Sequence, residues 1–215
     1  MKKIVIFDMD GTLINSAVDI TLSINHVRKH YYSLSDLSQQ FVVDAINASE
    51  RNLALLFYQT EQYEERAKAL FEEHYHTQCI QNVRAYEGIC DTLHKLHSQG
   101  CILGVATNAP SRFAKRMLSH LKLSDYFTHI IGADNVEFPK PHPQMIETHL
   151  KAHNFLHGQD RAWMVGDNSK DMEAARNANI IGIFATWGFS NNGKGDYLAS
   201  DPLQLSSIIL EETQC

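Results

Sequence analysis

Five short apolar runs, at 4–7, 102–106, 129–132, 163–165 and 180–185, each break off in polar residues, and helical patterning fills the chain between them. A strand covered on both faces reads as a continuous apolar run instead of an alternating one, and covering both faces of a sheet takes crossover helices. The chain is therefore expected to be α/β, built on a parallel sheet. Open sheets of this kind bind ligands beyond the carboxyl ends of their strands. Each run here ends beside a residue that can do chemistry, or beside a turn that can hold one.

Between the first and second runs lies a stretch too long for a simple crossover, and its apolar spacing is helical throughout. Ser16 followed by Asp19 has the spacing of a capping box. Beyond it, Ile20, Ile24, Val27 and Tyr31 fall on one helical face. Leu37, Phe41 and Ala45 predict a second stripe, Leu53, Leu56 and Phe57 a third, and Ala67, Leu70, Phe71 and Tyr75 a fourth. The spacing thus predicts a small helical bundle over 16–82, inserted into a sheet domain made of 1–15 and 83–215. The sheet domain resumes with a helix opened by Glu87 and Gly88, with Leu93 and Leu96 facing inward and Gly100 as its stop. The NNGKG stretch from Asn191 to Gly195 reads as a surface loop.

With 215 residues and 44% hydrophobic content, the chain can bury one sizeable core plus a small insertion. A net charge of −6 without any run of Lys or Arg leaves no footprint for a nucleic-acid backbone or an anionic membrane. The expected ligand is small. The first apolar run ends at Asp8, too early for a signal peptide, and no later run approaches membrane-spanning length, so the expected location is the cytoplasm. Cys79, Cys90, Cys101 and Cys215 lie far apart with no CxxC and read as reduced thiols.

Four strings carry candidate chemistry. DMDGT, Asp8 to Thr12, stands at the end of the first run, where the two-residue period of a strand places the carboxylates of Asp8 and Asp10 on one side. Such a pair stays ionised only beside a cation or a basic group, and hard divalent cations prefer oxygen ligands. By itself the string also fits an ordinary strand-to-turn junction. Thr107 and Asn108, after the next run, offer a hydroxyl and a backbone N–H to a phosphate oxygen, although a strand-end threonine also serves packing or capping. Lys140 lies between Pro139 and Pro141, which stiffen its loop; His142 reads as a cap for the helix that follows. GDNSKD, Gly166 to Asp171, places Asp167 at a strand end and Asp171 near a helix start, where a carboxylate also complements the helix dipole.

All four strings occur in order, each at the end of a different expected strand. The set DMDGT, Thr107, Lys140 and GDNSKD resembles the haloacid dehalogenase superfamily of phosphatases over nearly the whole chain. The resemblance implies a Rossmann-like sheet with helices on both faces and an inserted helical cap. It implies Asp8 as the nucleophile that forms an aspartyl-phosphate, with Asp10 protonating the leaving oxygen and then activating water. It implies Mg²⁺ held by Asp8, Asp167 and the main-chain carbonyl of Asp10, with Asp171 behind the metal. Thr107, Asn108 and Lys140 would bind the transferring phosphoryl group of a small phosphorylated metabolite.

LINSAVDI and VGDNSKDMEAARNA look most like the phosphoglycolate phosphatase group, from which Asn15 and Asn168 depart. In the inserted segment Asn47, Ser49 and Arg51 are candidates to face a substrate, Arg51 also fitting an exposed helix start. A phosphosugar mutase of the same fold is disfavoured by Gly166 and Asp171, a dehalogenase by the presence of Asp10, and a silent binding or regulatory module by the intact Asp8, Asp10, Lys140 and Asp167. His149, His153 and His157 recur at helical spacing and read as solvated side chains with no metal role, and Trp163 and Trp187 read as core or near-core packing.

Overall fold

The structure is a computed structural model that describes residues 1–48, 52–190 and 192–211. Ser49, Arg51, Asn191 and Cys215 lie outside the described residues. In chain order the elements are β1 (Lys3–Phe7), β2 (Ile14–Asn15), α1 (Ala17–His30), α2 (Gln39–Asn47), α3 (Leu53–Tyr58), α4 (Glu65–Gln78), β3 (Arg84–Ala85), α5 (Ile89–Ser98) and β4 (Ile102–Ala106). There follow α6 (Ser111–His120), β5 (Phe127–Ile131), α7 (Gln144–Ala152), β6 (Arg161–Gly166), α8 (Ser169–Asn177), β7 (Ile181–Ala185), β8 (Tyr197–Ala199) and α9 (Pro202–Glu211). The chain divides into two compact units, 1–14 with 85–215 and 15–84. β2 and β3 pair as a small ribbon at the two places where the chain passes from one unit to the other. Among the described residues no helix is long and apolar enough to cross a membrane.

The larger unit is the expected α/β sheet, parallel throughout, in the strand order β5-β4-β1-β6-β7-β8. Its central strands end level: Phe7 lies beside Val105 of β4 and Val165 of β6. That register brings the residues following these strands, Asp8, Thr107 and Asp167, to one edge. Alternate residues of β1 and β6 (Ile4, Ile6, Ala162 and Met164) join Met145, Ile146 and Leu150 of α7 and Ala174 and Ala175 of α8 in one buried cluster. The residues between them, Val5, Phe7, Trp163 and Val165, are buried as well. β8 falls outside the five apolar runs, being a short strand whose Tyr197 and Leu198 are exposed. Gly193 and Gly195 lie tight against Phe184 and Gly182 of β7, while Asn192 and Lys194 are exposed, so the described part of the NNGKG stretch is a surface loop whose glycines rest on the sheet.

His149 overturns the expectation of a solvated side chain. It is buried, and its Nε2–H donates to the carbonyl of Val105 at 3.0 Å. α7 turns it toward β4, while His153 ends the helix half-buried with its Nε2 3.0 Å from the Thr128 hydroxyl and His157 is exposed beyond it. Burial pushes the imidazole down to about 4, with His129 and His153 acting in the same direction and the bond to Val105 opposing them. A folded-state value below the ordinary one near 6.5 means that the unfolded chain takes the proton first. The stability this group contributes is therefore complete above about pH 6.5 and is lost as pH falls toward 4, roughly 3 kcal/mol in all. Denaturant titration from pH 7 to pH 4 is expected to show that component in the native chain and not in His149→Gln, which keeps an N–H donor and does not titrate.

The smaller unit is helical, with Ile24 and Val27 of α1, Val42 and Ala45 of α2, Phe57 and Tyr58 of α3, and Ala67 of α4 in one core. Ile20, Tyr31, Leu37, Leu70 and Phe71 pack around it. Two expected stripes sit differently. Ser38 accepts the Phe41 N–H and so begins α2, whose inward face is Val42 and Ala45, leaving Phe41 exposed. Asn52 caps α3 in the same way, so Ala54, Phe57 and Tyr58 turn inward and Leu56 outward. The buried Arg28 donates from Nε to the Ser35 carbonyl at 2.7 Å and from Nη1 to the carbonyl of Phe57 in the last turn of α3, where a cation also meets the negative end of the helix.

The capping box at Ser16 and Asp19 does not form; α1 begins at Ala17 without a side-chain cap. Asp19 is instead fully buried, its Oδ1 accepting from Gln78 Nε2 and Asn82 Nδ2 at 2.8 Å each and its Oδ2 from the Asn82 N–H at 3.0 Å. A carboxylate removed from water needs several donors, and α1 obtains them from the chain that leaves α4. Asp19→Ala strands those donors, and thermal or urea unfolding is expected to show a loss of about 3 kcal/mol.

Candidate active site

Asp8 directly follows β1 and Asp167 directly follows β6, so level strands set them side by side. Asp171 joins them from the first turn of α8. One carboxylate oxygen from each of Asp8, Asp167 and Asp171 lies within 4.8 Å of the other two. Between them reaches Lys140, whose Nζ donates to Asp8 Oδ1 at 2.7 Å and to Asp171 Oδ1 at 2.6 Å and is buried with them. Asp8 retains 9% of its exposure against 1% for Asp167 and for Asp171, which makes it the member of the cluster that an incoming molecule can reach.

The electrostatics follow from that geometry. Burial lowers the affinity of the Lys140 amine for its proton, but Asp171 and Asp8 outweigh burial and hold it firmly protonated. Burial pushes Asp167 up to about 8, helped by Asp8 and Asp171 and opposed by N–H bonds from Ser190 and Phe189. Asp171 is likewise raised by burial, with Lys140 pulling the other way. Three carboxylates facing one ammonium carry two uncompensated negative charges when all are ionised. A hard divalent cation among these oxygens would supply the missing charge, and the buried oxygen donor set fits one.

The other expected residues occupy distinct places. β1 ends at Phe7, so the strand period does not extend to Asp10, which stands partly exposed at the turn, bridged to Ile14 and outside the carboxylate cluster. Gly11 turns the chain with φ 86°, and a β-carbon on it would lie 2.3 Å from Asp167 Oδ2. Thr12 donates its hydroxyl to Asp167 Oδ1 at 3.3 Å. Thr107 is buried, and its Oγ1 accepts the Ala109 N–H at 3.1 Å. The Asn108 side chain bonds the backbone of Lys140. Asp171 also accepts the Asn168 N–H at 3.1 Å, so it caps α8 and pairs with Lys140 at once. His142 takes the capping role expected of it, Nδ1 accepting the Gln144 N–H at 3.2 Å.

Sequence reasoning misses the segment after β7, where Trp187 reads only as packing. The Trp187 indole N–H donates to the Thr12 carbonyl at 3.0 Å, and the N–H groups of Phe189 and Ser190 donate to Asp167 Oδ2 at 2.7 and 3.3 Å. Thr186 to Ser190 is thus a strap that holds both the DMDGT turn and Asp167. The signal that points to it is a Trp-Gly pair directly after a strand, facing the strand end that carries Asp167. Tyr86 is missed too; its phenol is raised by burial first and then by the charges of Asp167 and Asp10.

The model of the haloacid dehalogenase-like hydrolases matches residues 5–185. The chain belongs to that family. A phosphoglycolate phosphatase of Aquifex aeolicus is 31% identical over 96% of each chain, and one of Vibrio cholerae is 28% identical over 97% of each. A crystal structure described as a predicted phosphatase from Clostridium acetobutylicum superposes with a TM-score of 0.82 at 25% identity, covering 98% of this chain and 99% of that one. A predicted phosphoglycolate phosphatase from Haemophilus somnus 129PT superposes with a TM-score of 0.80 at 26% identity, covering 99% and 98%. This haloacid dehalogenase-like hydrolase is a phosphatase, and the aspartate cluster is its candidate centre.

The strap depends on Gly188, whose β-carbon would lie 2.2 Å from the Gly11 carbonyl and 2.5 Å from Asp167 Cβ. Gly188→Ala must push the strap away from Asp167. It is expected to cost about 1–3 kcal/mol of stability by overpacking and to lower phosphatase activity at least tenfold, read by thermal melting and phosphate release.

Proposed function

We propose that this hydrolase cleaves a small phosphate monoester through a covalent aspartyl-phosphate on Asp8. The observation that carries the reading is Lys140 buried between Asp8 and Asp171, with Asp8 the most accessible carboxylate of the cluster. A carboxylate oxygen of Asp8 attacks phosphorus as the ester P–O bond breaks, and Asp10 gives its proton to the leaving oxygen. Asp10 then takes a proton from water, whose oxygen attacks the same phosphorus; orthophosphate leaves and the Asp8 carboxylate is restored. Lys140 binds the equatorial phosphoryl oxygens. Thr107 does so as well, because accepting the Ala109 N–H uses a lone pair and leaves the hydroxyl proton to donate.

Asp8, Asp167 and the main-chain carbonyl of Asp10 would hold Mg²⁺, with Asp171 anchoring Lys140 beside them. Mg²⁺ there would neutralise the phosphoryl charge and lower the barrier to attack by an anionic carboxylate. The 15–84 unit is assigned as the cap that governs substrate choice. The substrate favoured is 2-phosphoglycolate, on the strength of the named relatives and the cytoplasmic setting expected for a small metabolite.

Phosphate release should require Mg²⁺, stop in excess chelator and return when Mg²⁺ is added back. Asp8→Asn is expected to lower turnover at least about a thousandfold, as loss of a covalent nucleophile does elsewhere. In a panel of 2-phosphoglycolate, sugar phosphates, nucleoside monophosphates and pyrophosphate, 2-phosphoglycolate should have the highest kcat/KM. Full activity in chelator, or in Asp8→Asn, contradicts the mechanism; preference for another ester contradicts the substrate assignment alone.

A further inference from the structure

We infer that Asn108 is a positioning residue that acts on the reaction through Lys140, an inference that rests on the phosphoryl-binding role proposed for that lysine. A lysine ammonium hangs on a flexible stem with several rotatable bonds and defines a position only if its backbone is held. The backbone around Lys140 is poor in donors, although the Pro139 carbonyl accepts the His142 N–H at 3.0 Å. Pro139 and Pro141 carry no N–H, so Lys140 supplies the one backbone donor of the three residues. That donor gives its hydrogen to Asn108 Oδ1 at 3.1 Å, and Asn108 Nδ2 donates to the Lys140 carbonyl at 2.8 Å.

A single side-chain amide therefore satisfies both backbone groups of Lys140, as a neighbouring strand would. At neutral pH, with carboxylic acids ionised, Asn and Gln are the side chains that combine a donor and an acceptor in that planar arrangement. A second amide holds the next residue, Asn177 Nδ2 donating to the Pro141 carbonyl at 3.3 Å. Asn108 directly follows Thr107, so the clamp links the end of β4 to the loop that carries the ammonium. The two phosphoryl-binding groups then share one frame, fixed before any phosphate arrives. The Asn108 side chain is thereby committed to Lys140 and acts behind the phosphate.

The test combines two substitutions at Asn108 with a cycle at Lys140, using the full chain with Mg²⁺. Asn108→Ala is expected to lower kcat/KM by roughly ten- to a hundredfold, the size of effect that a small misplacement of a reacting group produces, with kcat carrying most of the change. Inhibition by orthovanadate, a mimic of the pentacoordinate phosphoryl group, should weaken in parallel, while the melting temperature stays near that of the parent. Asn108→Asp has the same shape and keeps the acceptor but sets a carboxylate against the Lys140 carbonyl; it should fall at least as far as the alanine variant. In a Lys140→Met background, exchanging Asn108 for Ala should change kcat and vanadate affinity less than twofold.

Equal losses from Asn108→Ala in both backgrounds would overturn the inference, because Asn108 would then act independently of the lysine. So would an Asn108→Asp enzyme with parental kcat. Should Lys140→Met melt too low to assay, the cycle is run on Lys140→Arg with the same criteria. If Lys140→Met keeps parental kcat and vanadate affinity, the role of the lysine itself is wrong, an outcome distinct from a failure of the clamp.

Discussion

One buried ammonium among three buried carboxylates is the arrangement around which this molecule is organised. Charges removed from water are tolerated only when each meets an opposite charge or several hydrogen bonds. Here they meet at the carboxyl ends of parallel strands, where the level register of β1, β4 and β6 brings distant parts of the sequence together. Lys140 lies 132 residues from Asp8 and 31 from Asp171, yet bonds both. The sheet acts as the frame, and the loops that follow its strands carry the charge pattern. With all three carboxylates ionised, two negative charges at one end of the sheet stay unbalanced, and that is the opening for a divalent cation.

Much of this is legible in the order of the residues alone. The five apolar runs mark the long strands because burial on both faces demands them, and the reactive strings sit where each run stops. Asp8 and Asp167 stand out as carboxylates directly after buried apolar runs and Lys140 as a lysine held between two prolines, whereas Thr107 and Asp171 stand out only in their company. The neighbourhood that tunes them is not legible. Asp171 reads as a carboxylate that complements the helix dipole and, by resemblance, as a group behind the metal; the structure makes it a cap of α8 and a partner of Lys140 at once, and the second bond has no mark in the sequence. The Thr186 to Ser190 strap works through backbone N–H groups and an indole, and only its Trp187-Gly188 pair marks it in the sequence.

The helical unit shows the same limit differently. Its stripes at Ile24 and Val27 are readable, whereas those of α2 and α3 are rotated by about one residue from their expected positions, because the caps at Ser38 and Asn52 decide where each helix starts. Short helices carry too few turns for periodicity alone to fix their inward face. Asp19 misleads for a related reason: a carboxylate three residues after a serine has the spacing of a cap, but three donors from the far end of the unit compete for it and win. His149 deceives through its company, since two similarly spaced histidines are exposed or half exposed while this one fills the space beside β4.

The strap after β7 bears on how little of the chain would make a minimal catalyst. Every group assigned to the chemistry lies at or before Asp171, and the match to the family ends at Ala185, one residue before the strap begins. A fragment trimmed to either limit would keep the whole reactive inventory and still lose the N–H groups that aim Asp167 and the indole that steadies the DMDGT turn. Completeness of a site and completeness of its residue list are therefore different properties here, and the C-terminal portion of the sheet accounts for the difference.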